Sequence, residues 1–515
     1  MAKGVSHMQC RHGPQAALGC LHRHLPAIGR RSFLKGGLAT AGMAGLAACS
    51  VNPATGRYNF GSIEDDVSTG RSQHPEVLRS FGGAYDDPKL AKYVSDLGND
   101  LVSRTENPNL RFTFTILNTQ DVNAFAIPGG YVYVTRGLLA LASNEAELAG
   151  VVGHEIGHVI ARHGSERQTQ GILTQIGAAA IGIAAGVALG APELGNLAAV
   201  GGQAYLQSYS RDQEMEADTL GVEYMSAAGY DPQAMATFLD TLRDYSRLQA
   251  EMAGRNPNSV DEFNFMASHP RTIDRVEEAI RLAALETPAD PVVARSRYLQ
   301  EIDGIVYGDD PKEGIVRGRE FIHPDLRFEF EVPEGFRLQN SPTRVVASNN
   351  RDAAIIFEMA QSSSRSPATY LEREWSNQTS LGDIRDLRVH GLDAAVGTAR
   401  VRTQNGLADI MVAAIEADNG RVFRFHFLTP AGRLSSYEDA FLQTVRSFRR
   451  LTEAQARRVG AYRIKVVTAG RRDTVEGLSK DMPFGSFNAQ AFRVLNDLKS
   501  GQPIKAGEEI KLVAS

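Results

Sequence analysis

Two histidines four residues apart carry the most specific chemistry in this sequence. They stand in His154-Glu155-Ile156-Gly157-His158, inside a stretch that reads as a helix. At i and i+4 both imidazoles leave the same helix face, a spacing that suits two ligands on one tetrahedral zinc. Glu155 lies beside them, where a carboxylate can take a proton from an attacking water. A third ligand must come from elsewhere, and cysteine does not supply it: the three cysteines are Cys10, Cys20 and Cys49, and none follows. The run Arg211-Asp212-Gln213-Glu214-Met215-Glu216-Ala217-Asp218 does. Glu214 and Asp218, again i and i+4, share a face of a second helix. Glu214 can complete the metal site and leave one position open. Asp218 can accept a hydrogen bond from the outer nitrogen of a ligand histidine and fix its tautomer. Glu155 and Asp218 are thus the candidate catalytic pair, and His154, His158 and Glu214 the candidate ligands. Glu216 points elsewhere on its helix and reads as solvated or a minor partner. His163, nine residues after His154, falls on the opposite helical face and reads as structural.

These side chains need two helices and a sheet to hold them. Asn144-Glu145-Ala146-Glu147 has the form of a capping box, so a helix is expected from there to Arg162. Upstream, Pro128-Gly129-Gly130 marks a turn, and Tyr131 to Thr135 alternates aromatic residues with valine. That pattern predicts a strand at a sheet edge. Tyr131, Val132 and Tyr133 are then candidates to pair with an extended substrate backbone.

H-E-x-x-H followed by E-x-E-A-D, with Asn123 to Leu139 before it, resembles the gluzincin peptidase family M48 over about residues 75–285. The resemblance implies a zinc metalloendopeptidase with Zn2+ as cofactor. It also implies envelope protein quality control, with unfolded, misfolded or mislocalised envelope proteins as substrates. Ser268-His269-Pro270 is similar to a loop of the family. In its periplasmic lipoprotein members that loop histidine approaches the metal, which makes His269 a candidate fourth ligand or regulatory switch. The alternative is a largely latent protease that serves as a peptidoglycan-associated scaffold or chaperone in envelope assembly. Tyr209, Arg211 and His269 are candidates for the oxyanion donor.

The N-terminus reads as an address. Arg30-Arg31-Ser32-Phe33-Leu34-Lys35 fits a twin-arginine export signal, Gly36 to Ala48 is small and uncharged, and Leu46-Ala47-Ala48-Cys49 resembles a lipobox. Residues 1–48 are expected to be a signal peptide, Cys49 the lipidated residue that meets the membrane, and 49–74 a tether. Ser50 after the cysteine favours the outer membrane, on its periplasmic side. The apolar run from Ile172 to Ala191 reads mainly as a close-packed helix or hairpin, with membrane contact as the alternative. The formal net charge is −5, but the first 48 residues hold six basic residues and no acid, so the remainder carries −11. An acidic body excludes a non-specific nucleic-acid binder.

Residues 286–320 read as a linker with a helical extension. From about 321 to 451 the period changes to two, as in Phe328-Glu329-Phe330 and Phe423-Arg424-Phe425-His426-Phe427, with turns at Asn405-Gly406 and Asn419-Gly420. This stretch resembles PsbP/Mog1-like domains, and His323, His390 and His426 read as ordinary surface histidines. Residues 458–515 resemble a LysM module, through Asp473-Thr474-Val475, Leu495-Asn496 and Ile510 among others, which implies a peptidoglycan partner. The expected class is α+β multidomain. It comprises a mainly helical zincin protease domain with a small edge sheet, an antiparallel α+β domain and a small LysM-like module.

Overall fold

The computed structural model describes residues 49–51, 58–165 and 209–258, positions 275, 278, 281, 282 and 284, and 287–515 apart from 343, 350, 365, 376–378, 404–405 and 419. The expected signal peptide, the run 172–191 and His269 lie outside the described residues. Among the described residues, no helix is long and apolar enough to cross a membrane.

Helix α1 (Ile63–Ser80) starts at a Ser62/Asp65 capping box, and α2 (Pro88–Val102) at Asp87 with Pro88 in the first turn. Three strands follow: β1 (Thr113–Leu117), β2 (Ala124–Ile127) and β3 (Tyr131–Thr135). Their order is β1-β3-β2, with β3 parallel to β1 and antiparallel to β2. This corrects the expectation for Tyr131, Val132 and Tyr133. Both sides of β3 already carry a partner strand, so these residues are not an edge. Alternating aromatics and valine report an extended segment but do not say how many neighbours it has. Tyr133 is fully buried, and its hydroxyl meets His74 Nδ1 at 2.8 Å. The sheet edge that packs against the long helix below belongs to Ala124–Ile127.

After α3 (Arg136–Leu141) comes α4 (Glu145–Ile160), all sixteen residues of which are buried. Asn144 caps it by accepting from the Glu147 N–H at 2.9 Å. The Glu147 carboxylate reaches one residue further back than a capping box requires, to the Ser143 N–H at 2.7 Å. The helix ends two residues earlier than expected. Arg162 sits in the left-handed region at φ 58°, which costs a side-chain-bearing residue about 1 kcal/mol or more. Its guanidinium offsets that cost by binding the start of α1, with Nε at 2.6 Å from Asp66 Oδ2 and further bonds to the Gly61 and Ser62 carbonyls.

Helix α5 (Arg211–Ala227), capped by Ser210 and Gln213, and α6 (Gln233–Met252) follow. Glycine lets α4 and α5 touch backbone to backbone. A Cβ on Gly221 would lie 2.9 Å from the His154 nitrogen, one on Gly153 3.1 Å from the Gly221 carbonyl, and one on Gly157 3.1 Å from the Ala217 carbonyl.

Within 287–320, the helical extension and the strand after it are packed into the fold. In α7 (Arg295–Ile302), Tyr298, Leu299 and Ile302 are fully buried. Strand β4 (Val306–Tyr307) pairs with β5 (Tyr462–Thr468), which pairs with β6 (Glu509–Ala514). Between β5 and β6 lie α8 (Val475–Ser479) and α9 (Asn488–Leu495). The order of the C-terminal segment is therefore β-α-α-β. Its Ile464, Phe492 and Ile510 share one core with Leu139, Leu148 and Leu299.

A second core belongs to a seven-stranded antiparallel sheet. Its strands run in the order Arg337–Ser341, Arg344–Ser348, Ala354–Gln361, Arg421–Pro430, Gly406–Ala417, Leu392–Thr403 and Gly382–Val389. Phe328, Phe330, Phe423, Phe425 and Phe427 fill one face. The other face is also covered, by helix Pro367–Arg373. His426 is consequently buried and accepts from Trp375 Nε1 at 3.0 Å, and burial pushes its pKa down to about 3. It is not a surface histidine.

A Gly221→Ala chain is expected to lose about 1–3 kcal/mol of stability through overpacking and to bind zinc more weakly, because the new methyl group meets main chain at His154. Urea unfolding and zinc titration check both.

Candidate metal centre

Helix α4 supplies His154, Glu155 and His158, and α5 supplies Glu214 and Asp218. The structure brings all five together, each at most 4% exposed. One donor atom each from His154, His158 and Glu214 falls within 4.8 Å of the others. The two Nε2 atoms are 3.1 Å apart, and Glu214 oxygens lie 3.8 Å from His154 Nε2 and 3.5 Å from His158 Nε2. Donors at zinc–ligand distance on a tetrahedron stand about 3.3 Å apart. Two imidazoles and a carboxylate also form a donor set that zinc accepts.

Each ligand histidine is held from behind. His154 Nδ1 is 2.8 Å from Asp218 Oδ1. An ionised carboxylate accepts only, so the proton sits on Nδ1 and the Nε2 lone pair faces the centre. His158 uses a longer route. Its Nδ1 lies 2.8 Å from His163 Nδ1, and His163 Nε2 lies 3.0 Å from Glu216 Oε2. With Glu216 accepting from His163 Nε2–H, His163 Nδ1 accepts from His158 Nδ1–H, which again presents Nε2 to the centre. Tyr209 stacks on the His158 ring at 3.8 Å between centroids, 16° from parallel.

His163 therefore takes part in the site, contrary to its reading as structural, and Glu216 is a partner through it, the second of its two readings. The helical wheel that sent His163 away holds only while the helix continues, and the left-handed Arg162 breaks it. Arg275, six residues after His269 in the sequence, is a further participant with no role in the sequence reading. Its Nε and Nη2 grip Asp218 at 2.7 and 2.8 Å, and its Nη1 meets Glu214 Oε2 at 2.5 Å.

Among the described residues, the buried carboxylates of Glu214 and Asp218 meet the Arg275 guanidinium, and that of Glu155, also buried, acts on it through its charge. Uncompensated buried charge is costly, and a divalent cation between the histidines would cancel the excess. Burial alone would depress His154, but the hydrogen bond and charge of Asp218, with Glu214 and Glu155, outweigh it and hold its pKa above the ordinary histidine value. Burial would likewise raise Asp218, but Arg275 and His154 keep it below the usual carboxylate value.

Residues 88–283 match the model of Peptidase family M48, a span that contains every residue of this cluster. Residues 88–283 form an M48 peptidase domain. The beta-barrel assembly-enhancing protease of Escherichia coli (strain K12) is 32% identical over 252 residues, covering 46% of this chain and 49% of that protein. Metalloprotease YcaL of the same organism is 30% identical over 191 residues, covering 37% of this chain and 66% of that protein. The chain thus spans about half the length of the first relative. Among solved structures, PsbP of Synechocystis sp. PCC 6803 aligns with 28% of this chain and 98% of that one, at 17% identity and a TM-score of 0.22.

Replacing His163 by Leu is expected to weaken zinc affinity about 10–100-fold, with Glu216→Gln in the same direction; competition with a chromogenic chelator measures it. Proton and metal compete for His154. Its raised pKa places that competition at higher pH than for a free histidine, so affinity should fall as pH drops through it while Asp218 stays ionised. Metal titrations at a series of pH values read the slope.

Proposed function

We propose that the protein is a zinc-dependent metalloendopeptidase of the bacterial cell envelope, exported by residues 1–48 and lipid-anchored at Cys49. We take its substrates to be misfolded or mislocalised envelope proteins. The observation that carries this reading is the juxtaposition of His154, His158 and Glu214 with the buried carboxylate of Glu155. When bound, zinc supplies Lewis acidity toward water and toward the scissile carbonyl. Glu155 takes the proton of the attacking water and returns it to the leaving amine. Asp218 and the His163–Glu216 pair keep the two imidazoles in register. Beside His158, a cavity of about 40 Å³ is lined by Ala126, Ile127, Val159 and Tyr209 among others. We assign it to an apolar substrate side chain, with the substrate backbone along Ala124–Ile127 in place of Tyr131–Tyr133.

The envelope setting is supported by the order of twin arginine, small-residue run and cysteine, and by the relative whose name describes β-barrel assembly. A glycan-binding role for 458–515 is part of the same proposal, supported by its β-α-α-β order.

Glu155→Gln should retain zinc and lose casein hydrolysis by about 10²–10⁴-fold. Removal of the metal by a chelator should abolish hydrolysis, and zinc should restore it. A Glu155→Gln protein as active as wild type would remove Glu155 as the base.

A further inference from the structure

The last strand of the chain reaches back to the start of α4. Lys511, on β6, is fully buried. Its Nζ lies within hydrogen-bond distance of three successive main-chain carbonyls, Ala140 at 3.0 Å, Leu141 at 2.8 Å and Ala142 at 2.6 Å. These close α3, where carbonyls lack partners within the helix.

The joint between α3 and α4 is held at its other groups too. Arg295 donates from Nη1 to the Ser143 carbonyl at 2.7 Å and from Nη2 to the Glu509 carbonyl at 3.1 Å. Ser143 N–H donates to Glu147, in the first turn of α4. Asn496 locks the main chain of Lys511 from both sides, accepting from its N–H at 2.7 Å and donating to its carbonyl at 2.9 Å. Residues 140–143 are therefore set by groups from α7 and from the β-α-α-β segment. Along α4, His154 lies about 10 Å beyond Glu147, and a helix carries a displacement at its start to both ligand histidines. Glu214 stands on α5, which does not begin at this joint.

We infer that Lys511 is a positioning residue for the metal centre, supplied to the peptidase fold by the segment 458–515 in addition to any binding role of that segment. Lys511 fixes where α4 begins, and so where His154 and His158 stand relative to Glu214. Only the activity arm of the test rests on the peptidase reading; the metal arm is independent of it.

The experiment uses the full chain with Lys511→Met, and Phe492→Leu as a control that loosens the same segment without touching the joint. Lys511→Met is expected to bind zinc about tenfold more weakly and to lower kcat on casein with little change in KM. Phe492→Leu is expected to lower Tm while keeping zinc affinity and kcat. Wild-type affinity and kcat in Lys511→Met would overturn the inference, as would a loss of affinity in Phe492→Leu that tracks its Tm. If Lys511→Met does not fold, Arg295→Gln takes its place, with at least a threefold weakening expected; unchanged zinc affinity there overturns the inference. A wild-type chain that binds zinc but cleaves nothing would instead count against the proposed activity, with the zinc comparison still deciding the role of Lys511.

Discussion

The site depends on one contact, the backbone-to-backbone approach of α4 and α5 at Gly153, Gly157 and Gly221. The ligands come from two helices separated in sequence, and their donor atoms must meet within a few ångströms. Helices that pack through ordinary side chains keep their axes 8–10 Å apart. Removing the side chains at this crossing allows the closer approach that sets Glu214 and Asp218 against His154 and His158. The price of glycine inside a helix, up to about 1 kcal/mol each, is accepted where geometry leaves no alternative.

Charge builds outward from that crossing. Glu155, Glu214 and Asp218 are buried, Arg275 is the guanidinium partner of the latter two, and each imidazole is oriented by an acid, directly through Asp218 or indirectly through His163 and Glu216. A cluster this negative and this dry is suited to a cation. Its supporting groups fix both tautomers before the metal arrives, so little reorganisation is needed on binding. Around it, Arg162 ties the end of α4 to the start of α1, and Lys511 ties the beginning of α4 to the end of the chain.

The five central residues were legible because i and i+4 spacing on a continuous helix needs no tertiary information. The hairpin strands of the second sheet were legible for the same local reason: Phe423, Phe425 and Phe427 alternate, and Asn405-Gly406 ends a run. Legibility stopped where an outcome depends on distant partners. Whether Tyr131–Thr135 is an edge or a centre depends on Thr113–Leu117. Whether His426 is exposed depends on the helix at Pro367–Arg373. The pairing of Val306–Tyr307 with Tyr462–Arg463 joins segments some 155 residues apart, and no local pattern announces it. His163 escaped for a different reason: a single left-handed residue, Arg162, cancels the periodicity that every helical-face argument assumes.

Anomalous diffraction at the zinc edge, from crystals of the zinc-loaded chain, tests the central claim most directly. One zinc is expected at about 2.0–2.2 Å from His154 Nε2, His158 Nε2 and a Glu214 oxygen, with Asp218 and His163 behind the two rings. A zinc bound elsewhere, or held by Glu216 or Asp218 in place of Glu214, would contradict it.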